Sequence, residues 1–123
     1  MKIQIIEGKL ETIVMAIVWE KKTCSPKEVL SELKGEYALT TISTILERLY
    51  EKDLLIKTKV AGKVTFAPKI SEQLYSESMV SQFMNKVVTS FGDLAVSSFA
   101  KGVEQLPTEK RLELVELLKQ NER

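Results

Sequence analysis

Residues Ala38–Asp53 read ALTTISTILERLYEKD. Ile42, Ile45, Leu46, Leu49 and Tyr50 recur at the three- and four-residue spacing that gathers side chains on one helical face, so the stretch predicts a helix packed on a core. Thr40, Ser43, Thr44, Glu47 and Arg48 fall on the other face. Solvated faces are usually built from long Glu and Lys side chains, because Ser and Thr are middling helix formers. Short hydroxyls let a helix approach another surface closely and exchange hydrogen bonds with it. Those properties suit a DNA major groove, and the competing reading is a surface helix rich in threonine.

The sequence on either side decides between the two. Upstream, Leu10, Ile13, Val14, Ile17 and Val18, with Met15 and Trp19 beside them, predict a buried first helix over Gly8–Lys21, Trp19 being a core anchor. Thr23-Cys24 is a short connector. Ser25-Pro26-Lys27-Glu28 is a helix start: an N-cap serine, proline at the first helical position and glutamate to close a capping box. Val29, Leu30 and Leu33 face inward, and Gly35 is expected to stop this second helix. Two helices joined by so few residues, the second polar outside, form a helix-turn-helix. Downstream, Leu54–Val60 and Lys63–Pro68 alternate as strands do, with Ala61-Gly62 between them. Alanine is a poor first residue for a type I′ turn, so a slightly longer loop with Gly62 left-handed is expected. Lys57, Lys59, Lys63 and Lys69 fall between Leu54 and Ser71 without an acid among them. A basic ribbon directly after a helix-turn-helix is the layout of a winged helix; lysines that merely protect a sheet edge are the alternative.

Ser71–Phe91 carries Leu74, Tyr75, Met79, Val80, Phe83, Met84, Val87, Val88 and Phe91, too much apolar surface for a solitary helix to leave in water. Gly92-Asp93 breaks it, with Asp93 as N-cap of a short helix over Leu94–Ala100 that ends before Gly102. Pro107–Gln120 is a last helix with Leu112, Leu114, Val115, Leu117 and Leu118 on its apolar side. Three such helices make a thin core alone. Pairing with a second copy solves this, through Leu74, Phe83, Met84, Val87, Val88, Phe91, Phe99, Leu114, Leu117 and Leu118. The expected fold is mainly α, an α+β winged helix: residues 1–70 form a winged helix-turn-helix domain and residues 71–123 a helical dimerisation domain.

Composition excludes several function classes. The chain has 123 residues, one cysteine and no histidine, which rules out an intrachain disulfide, Ser–His or Cys–His catalysis and a zinc site of the usual kind. No cofactor or metal is expected. Cys24 is read as a structural thiol. No apolar run approaches membrane-spanning length and no signal peptide precedes the first helix, so the expected location is the cytoplasm, away from membranes. Net charge is +1, but residues 1–70 hold 12 Lys/Arg against 9 Asp/Glu while residues 71–123 hold 6 against 8. The N-terminal part is therefore the anion-binding half.

KLETIVMAIVWEKK, SPKEVLSEL, ALTTISTILERLYEKDLL and AGKVTFAP, followed by FGDLAVSSFAKGVEQL, together resemble the penicillinase and methicillin-resistance repressors, grouped with copper-responsive repressors as the BlaI/MecI/CopY family. The resemblance covers essentially the whole chain. It implies a repressor that dimerises through its C-terminal helices and binds a palindromic double-stranded DNA operator. Carried over by position, Thr40, Thr41, Ser43, Thr44 and Arg48 face the bases, while Lys27, Lys57, Lys59 and Lys63 meet phosphates. Leu39 and Ser43 depart from the family's usual residues, and Asp53 replaces a glycine after the third helix. The cysteine-rich tail of the copper-responsive members is absent. In the β-lactam-responsive members a sensor protease cuts an Asn-Phe bond; the matching bond here is Ser98-Phe99, and the competing role for Phe99 is filling the dimer core. Two readings stand against a repressor. A winged helix can be a protein-interaction module without specific DNA binding, for which Glu47 and Glu51 on the exposed side speak. An enzyme is the weakest reading, since the carboxylates are scattered and no phosphate-cradling glycine loop is present.

Overall fold

Residues 3–120 are described by a computed structural model. Along them run α1 (Lys9–Lys21), α2 (Pro26–Glu32), α3 (Leu39–Glu51), β1 (Leu55–Val60), β2 (Lys63–Pro68), α4 (Glu72–Phe91), α5 (Asp93–Glu104) and α6 (Thr108–Gln120). The chain forms two compact units, Met1–Val80 and Ser81–Arg123, and the division falls inside α4.

The first unit is a winged helix. Val14, Met15 and Val18 of α1, Val29 of α2 and Ile42, Ile45, Leu46 and Leu49 of α3 are buried together, closed over by Cys24, Leu54, Leu55 and Phe66. The Ser25 capping box is complete: the Glu28 N–H donates to Ser25 Oγ at 3.3 Å, and the Ser25 N–H donates to Glu28 Oε1 at 2.9 Å. The third helix ends on a left-handed residue. Asp53 takes φ 65°, its N–H donates to Tyr50 O, and the Leu54 N–H reaches back to Leu49 O, both at 3.0 Å. That is a Schellman ending, with buried Leu49 and Leu54 as its apolar pair. Trp19 anchors the far side: its Nε1–H donates to Ile70 O at 2.9 Å and its ring lies 5.5 Å from that of Tyr75.

The wing is stitched to the helices. β1 and β2 pair antiparallel with Leu55 opposite Pro68 and Val60 opposite Lys63. Cys24 adds one bridging residue on the other edge of β2: the Cys24 N–H donates to Phe66 O at 3.0 Å, and the Phe66 N–H to Cys24 O at 2.8 Å. The connector before α2 thus fixes the angle of the wing.

Several expectations need correction. Tyr50 is 43% exposed, because it lies at the edge of the apolar stripe rather than within it. The second helix stops at Glu32, where Leu33 turns extended, ahead of Gly35. The hairpin loop is two residues long, with φ 52° at Ala61 and 79° at Gly62, the positive pair of a type I′ turn. Strand twist favours that turn strongly enough for alanine to be held left-handed. Gly92, not Asp93, is the N-cap of α5, and the helix continues through Gly102 to Glu104. A lone interior glycine weakens a helix by about 1 kcal/mol against alanine but does not by itself end it.

In the second unit Ala95 alone is buried among the described residues. Phe83, Val88, Phe91, Phe99, Leu117 and Leu118 are exposed, as is Leu74 in the first unit, whereas Met84, Val87 and Leu114 are half-buried. Ser98 and Phe99 lie exposed in the middle of α5. No helix among the described residues is long and apolar enough to cross a membrane.

Candidate nucleic-acid interface

The core residues of α3 lock one face inward and so present the other. Thr40, Thr41, Thr44 and Arg48 are exposed, and Ser43 and Glu47 are half-buried beside them. Thr40, Thr44 and Arg48 follow each other at four-residue steps and form one row. Thr44 Oγ1 donates to Thr40 O at 2.9 Å, spending its proton inside the helix. What remains on that oxygen is acceptor capacity.

Arg48 is held from behind. Its Nη1 lies 3.6 Å from Glu11 Oε1, and Lys52 Nζ lies 3.4 Å from Glu11 Oε2. The Arg48 side chain is 62% exposed while that of Glu11 is 11% exposed, so the guanidinium reaches outward from a carboxylate rooted in α1.

Strand register separates the wing lysines. Leu55, Lys57 and Lys59 share a face with Val64, Phe66 and Pro68, the face that carries the buried residues. Lys63 lies on the opposite face with Ile56, Thr58 and Thr65. Lys57 is committed within the protein: its Nζ donates to Glu47 Oε1 at 2.5 Å and sits 5.7 Å from the centre of the Tyr50 ring. The Glu47 charge on the outer side of α3 is therefore answered by the wing. Lys27, Lys59 and Lys63 form no ion pair with an acid among the described residues. Lys63 still acts on its surroundings. The Ser25 backbone N–H, then the Ser25 side chain, hold the Glu28 carboxyl below its ordinary range, with Lys63 and Lys21 assisting. Lys69 is spent on Asp53, its Nζ 2.5 Å from Oδ1.

Cys24 is fully buried, and burial pushes its thiol pKa up, with Glu28 adding to the effect. A buried thiol held protonated is a poor nucleophile, which fits the structural role. No group of three or more His, Cys, Asp and Glu side chains that could hold a metal ion occurs among the described residues.

Two features escaped the reading of the sequence. Glu11 stands at the spacing of Val14, Met15 and Val18, so a carboxylate in an apolar stripe was itself the signal that cations must come to it. The Cys24–Phe66 bridge leaves no comparable mark, since it joins backbone groups distant in sequence.

A helix-turn-helix whose second helix shows hydroxyls and an arginine, followed by a lysine-bearing two-stranded ribbon, defines a winged-helix DNA-binding protein. Residues 7–120 match the penicillinase repressor family, and the chain belongs to that family of DNA-binding transcriptional repressors. It is 30% identical over 107 residues to the penicillinase repressor of Staphylococcus aureus, spanning 85% of this chain and 84% of that one. The penicillinase repressor of Bacillus licheniformis is 29% identical over 120 residues, spanning 96% and 91%. The DNA-binding domain of the repressor BlaI, solved in solution, aligns over 58% of this chain and 90% of its own at 29% identity, with a TM-score of 0.48.

Proposed function

We propose that the protein is a cytoplasmic, homodimeric, non-enzymatic repressor that binds a palindromic operator with α3 in the major groove of each half-site. The observation that carries this is the exposed row of Thr40, Thr44 and Arg48 on a helix otherwise locked in the core. Thr41 and Ser43 flank the row and complete the base-facing set. Thr44, its proton already committed, reads as an acceptor, which matches the amines of adenine or cytosine. Lys27, Lys59 and Lys63 meet phosphates. Lys57, the fourth wing-side candidate, is withheld from them by Glu47 and joins them where that charge is removed. Phosphate contacts set position; side chains on α3 choose sequence.

Residues 1–70 supply DNA binding in this reading and residues 71–123 supply dimerisation. Support for pairing is the apolar surface left in water: Phe83 is 65% exposed, Phe91 63%, Leu112 61% and Leu118 56%. Large contiguous apolar patches are rare on monomeric proteins, so exposed side chains in this number favour a covering partner. Leu74, Met84, Val87, Val88, Phe99, Leu114 and Leu117 complete the paired surface. Phe99 then fills the dimer core, the role preferred to the competing one, in which a sensor protease cuts Ser98–Phe99.

A mobility-shift titration tests the reading, using the duplex that the protein selects from random-sequence DNA and a scrambled duplex of equal composition. With about six phosphates neutralised, the log–log salt slope is expected near −5. Thr44→Ala should lower the preference for the selected duplex, and Lys63→Ala should weaken both duplexes alike. Equal loss on both for Thr44→Ala rejects its base-reading role. A strictly monomeric protein in sedimentation at micromolar concentration rejects the dimer.

A further inference from the structure

Glu11 is the only charged residue that is buried among those described. Its two oxygens are divided between two cations four residues apart at the end of α3, Oε2 toward Lys52 at the C-cap and Oε1 toward Arg48. The cations are not equivalent. Lys52 has a side chain only 19% exposed, and its Nζ also donates to Ile5 O at 3.3 Å, so it belongs to the interior. Arg48 is 62% exposed and 3.6 Å from its oxygen. One buried carboxylate needs one close cation to offset its charge, and Lys52 supplies it. Arg48 is surplus to that requirement.

We propose that Glu11 is a positioning residue for sequence reading, and that it holds the Arg48 guanidinium in register with Thr44 before DNA arrives. The inference rests on the assignment of α3 as the reading helix. A guanidinium reads guanine through two parallel N–H donors, which demands a set plane. A free arginine loses its rotamer freedom on binding, and a tether at its rear edge removes part of that cost beforehand. Five donors on the guanidinium leave the outward ones available while Nη1 faces Glu11. The carboxylate has a second effect. It lowers the net positive charge that this edge of α3 shows to phosphates, which weakens binding to DNA of any sequence. Both effects raise the ratio of selected to scrambled binding.

The test is a double-mutant cycle on the full chain: Glu11→Gln, Arg48→Ala and the pair, each titrated on the selected and scrambled duplexes. Glu11→Gln is expected to lower the ratio about tenfold, with scrambled binding equal or tighter. In the Arg48→Ala background the same change should move the ratio by less than about twofold. Equal losses on both duplexes, or an undiminished drop in the Arg48→Ala background, would make Glu11 merely structural and overturn the proposal. If Arg48→Ala alone leaves the ratio intact while Thr44→Ala lowers it, α3 still reads DNA and only the Glu11–Arg48 assignment falls. If neither variant lowers the ratio, the reading of α3 itself is lost. Should Glu11→Gln fail to fold, Glu11→Asp keeps a buried negative charge, shortens its reach toward Arg48 by one methylene, and takes its place in the cycle with the same outcomes.

Discussion

Replacing Glu47 by glutamine should tighten DNA binding while costing a little stability. In the free protein Lys57 is drawn to Glu47 at 2.5 Å, with side chains 32% and 40% exposed. A pair so wet contributes about 0.2–1 kcal/mol, so Glu47→Gln should lower the unfolding free energy by no more than that. On DNA the sign reverses. The variant frees one ammonium per protomer, and each added phosphate contact steepens the log–log salt slope by about 0.9. A dimer should then gain about 1.8 in slope, so its advantage over the wild type shrinks roughly twelvefold as salt rises from about 50 to 200 mM. Fluorescence anisotropy on a scrambled duplex across that range reads the slope directly. An unchanged slope would show that removing the Glu47 charge adds no phosphate contact by Lys57. Weaker binding to the selected duplex alone would instead mean that Glu47 accepts from a cytosine amine.

The other expectations concern stability and reactivity. Ala61→Asn should stabilise the protein by about 0.5–1 kcal/mol in urea denaturation, because asparagine tolerates the left-handed geometry that Ala61 is forced to hold, and valine there should destabilise it. Phe66→Ala should cost about 3–5 kcal/mol by the same measurement, since the ring is 2% exposed and closes the core under the wing. Because the folded Glu28 carboxyl titrates below its ordinary value of 4.5, its contribution is complete above that pH and is lost as pH falls through the native pKa. Ser25→Ala should therefore flatten the acid limb of the urea midpoint plotted against pH. Cys24, buried and held protonated, should resist iodoacetamide at pH 8 in the native protein and react once urea unfolds it.

What was legible in the sequence is what depends on neighbours along the chain. Helical periodicity located α3 and its inward residues, and Ser25-Pro26-Lys27-Glu28 announced a capping box that formed as written. The hairpin turn was not legible, because alanine's local preference lost to the twist of the strands it joins. Nor was the length of α5, because Gly102 looks like a stop in the sequence although nothing there requires a left-handed residue.

The sequence alone determined a helix-turn-helix, a basic ribbon after it and a hydroxyl-rich outward face, since spacing, capping and alternation act within a few residues. Tertiary structure decided which charges remain available to DNA. Lys57, Lys59 and Lys63 look alike in the sequence, yet the pleat sends Lys57 to Glu47 and Lys63 to the other face. Arg48 looks like any surface arginine until α1 brings Glu11 behind it. Charge pairing depends on distance in space, and the chain fixes that distance only when α1, α3 and the wing pack around one core.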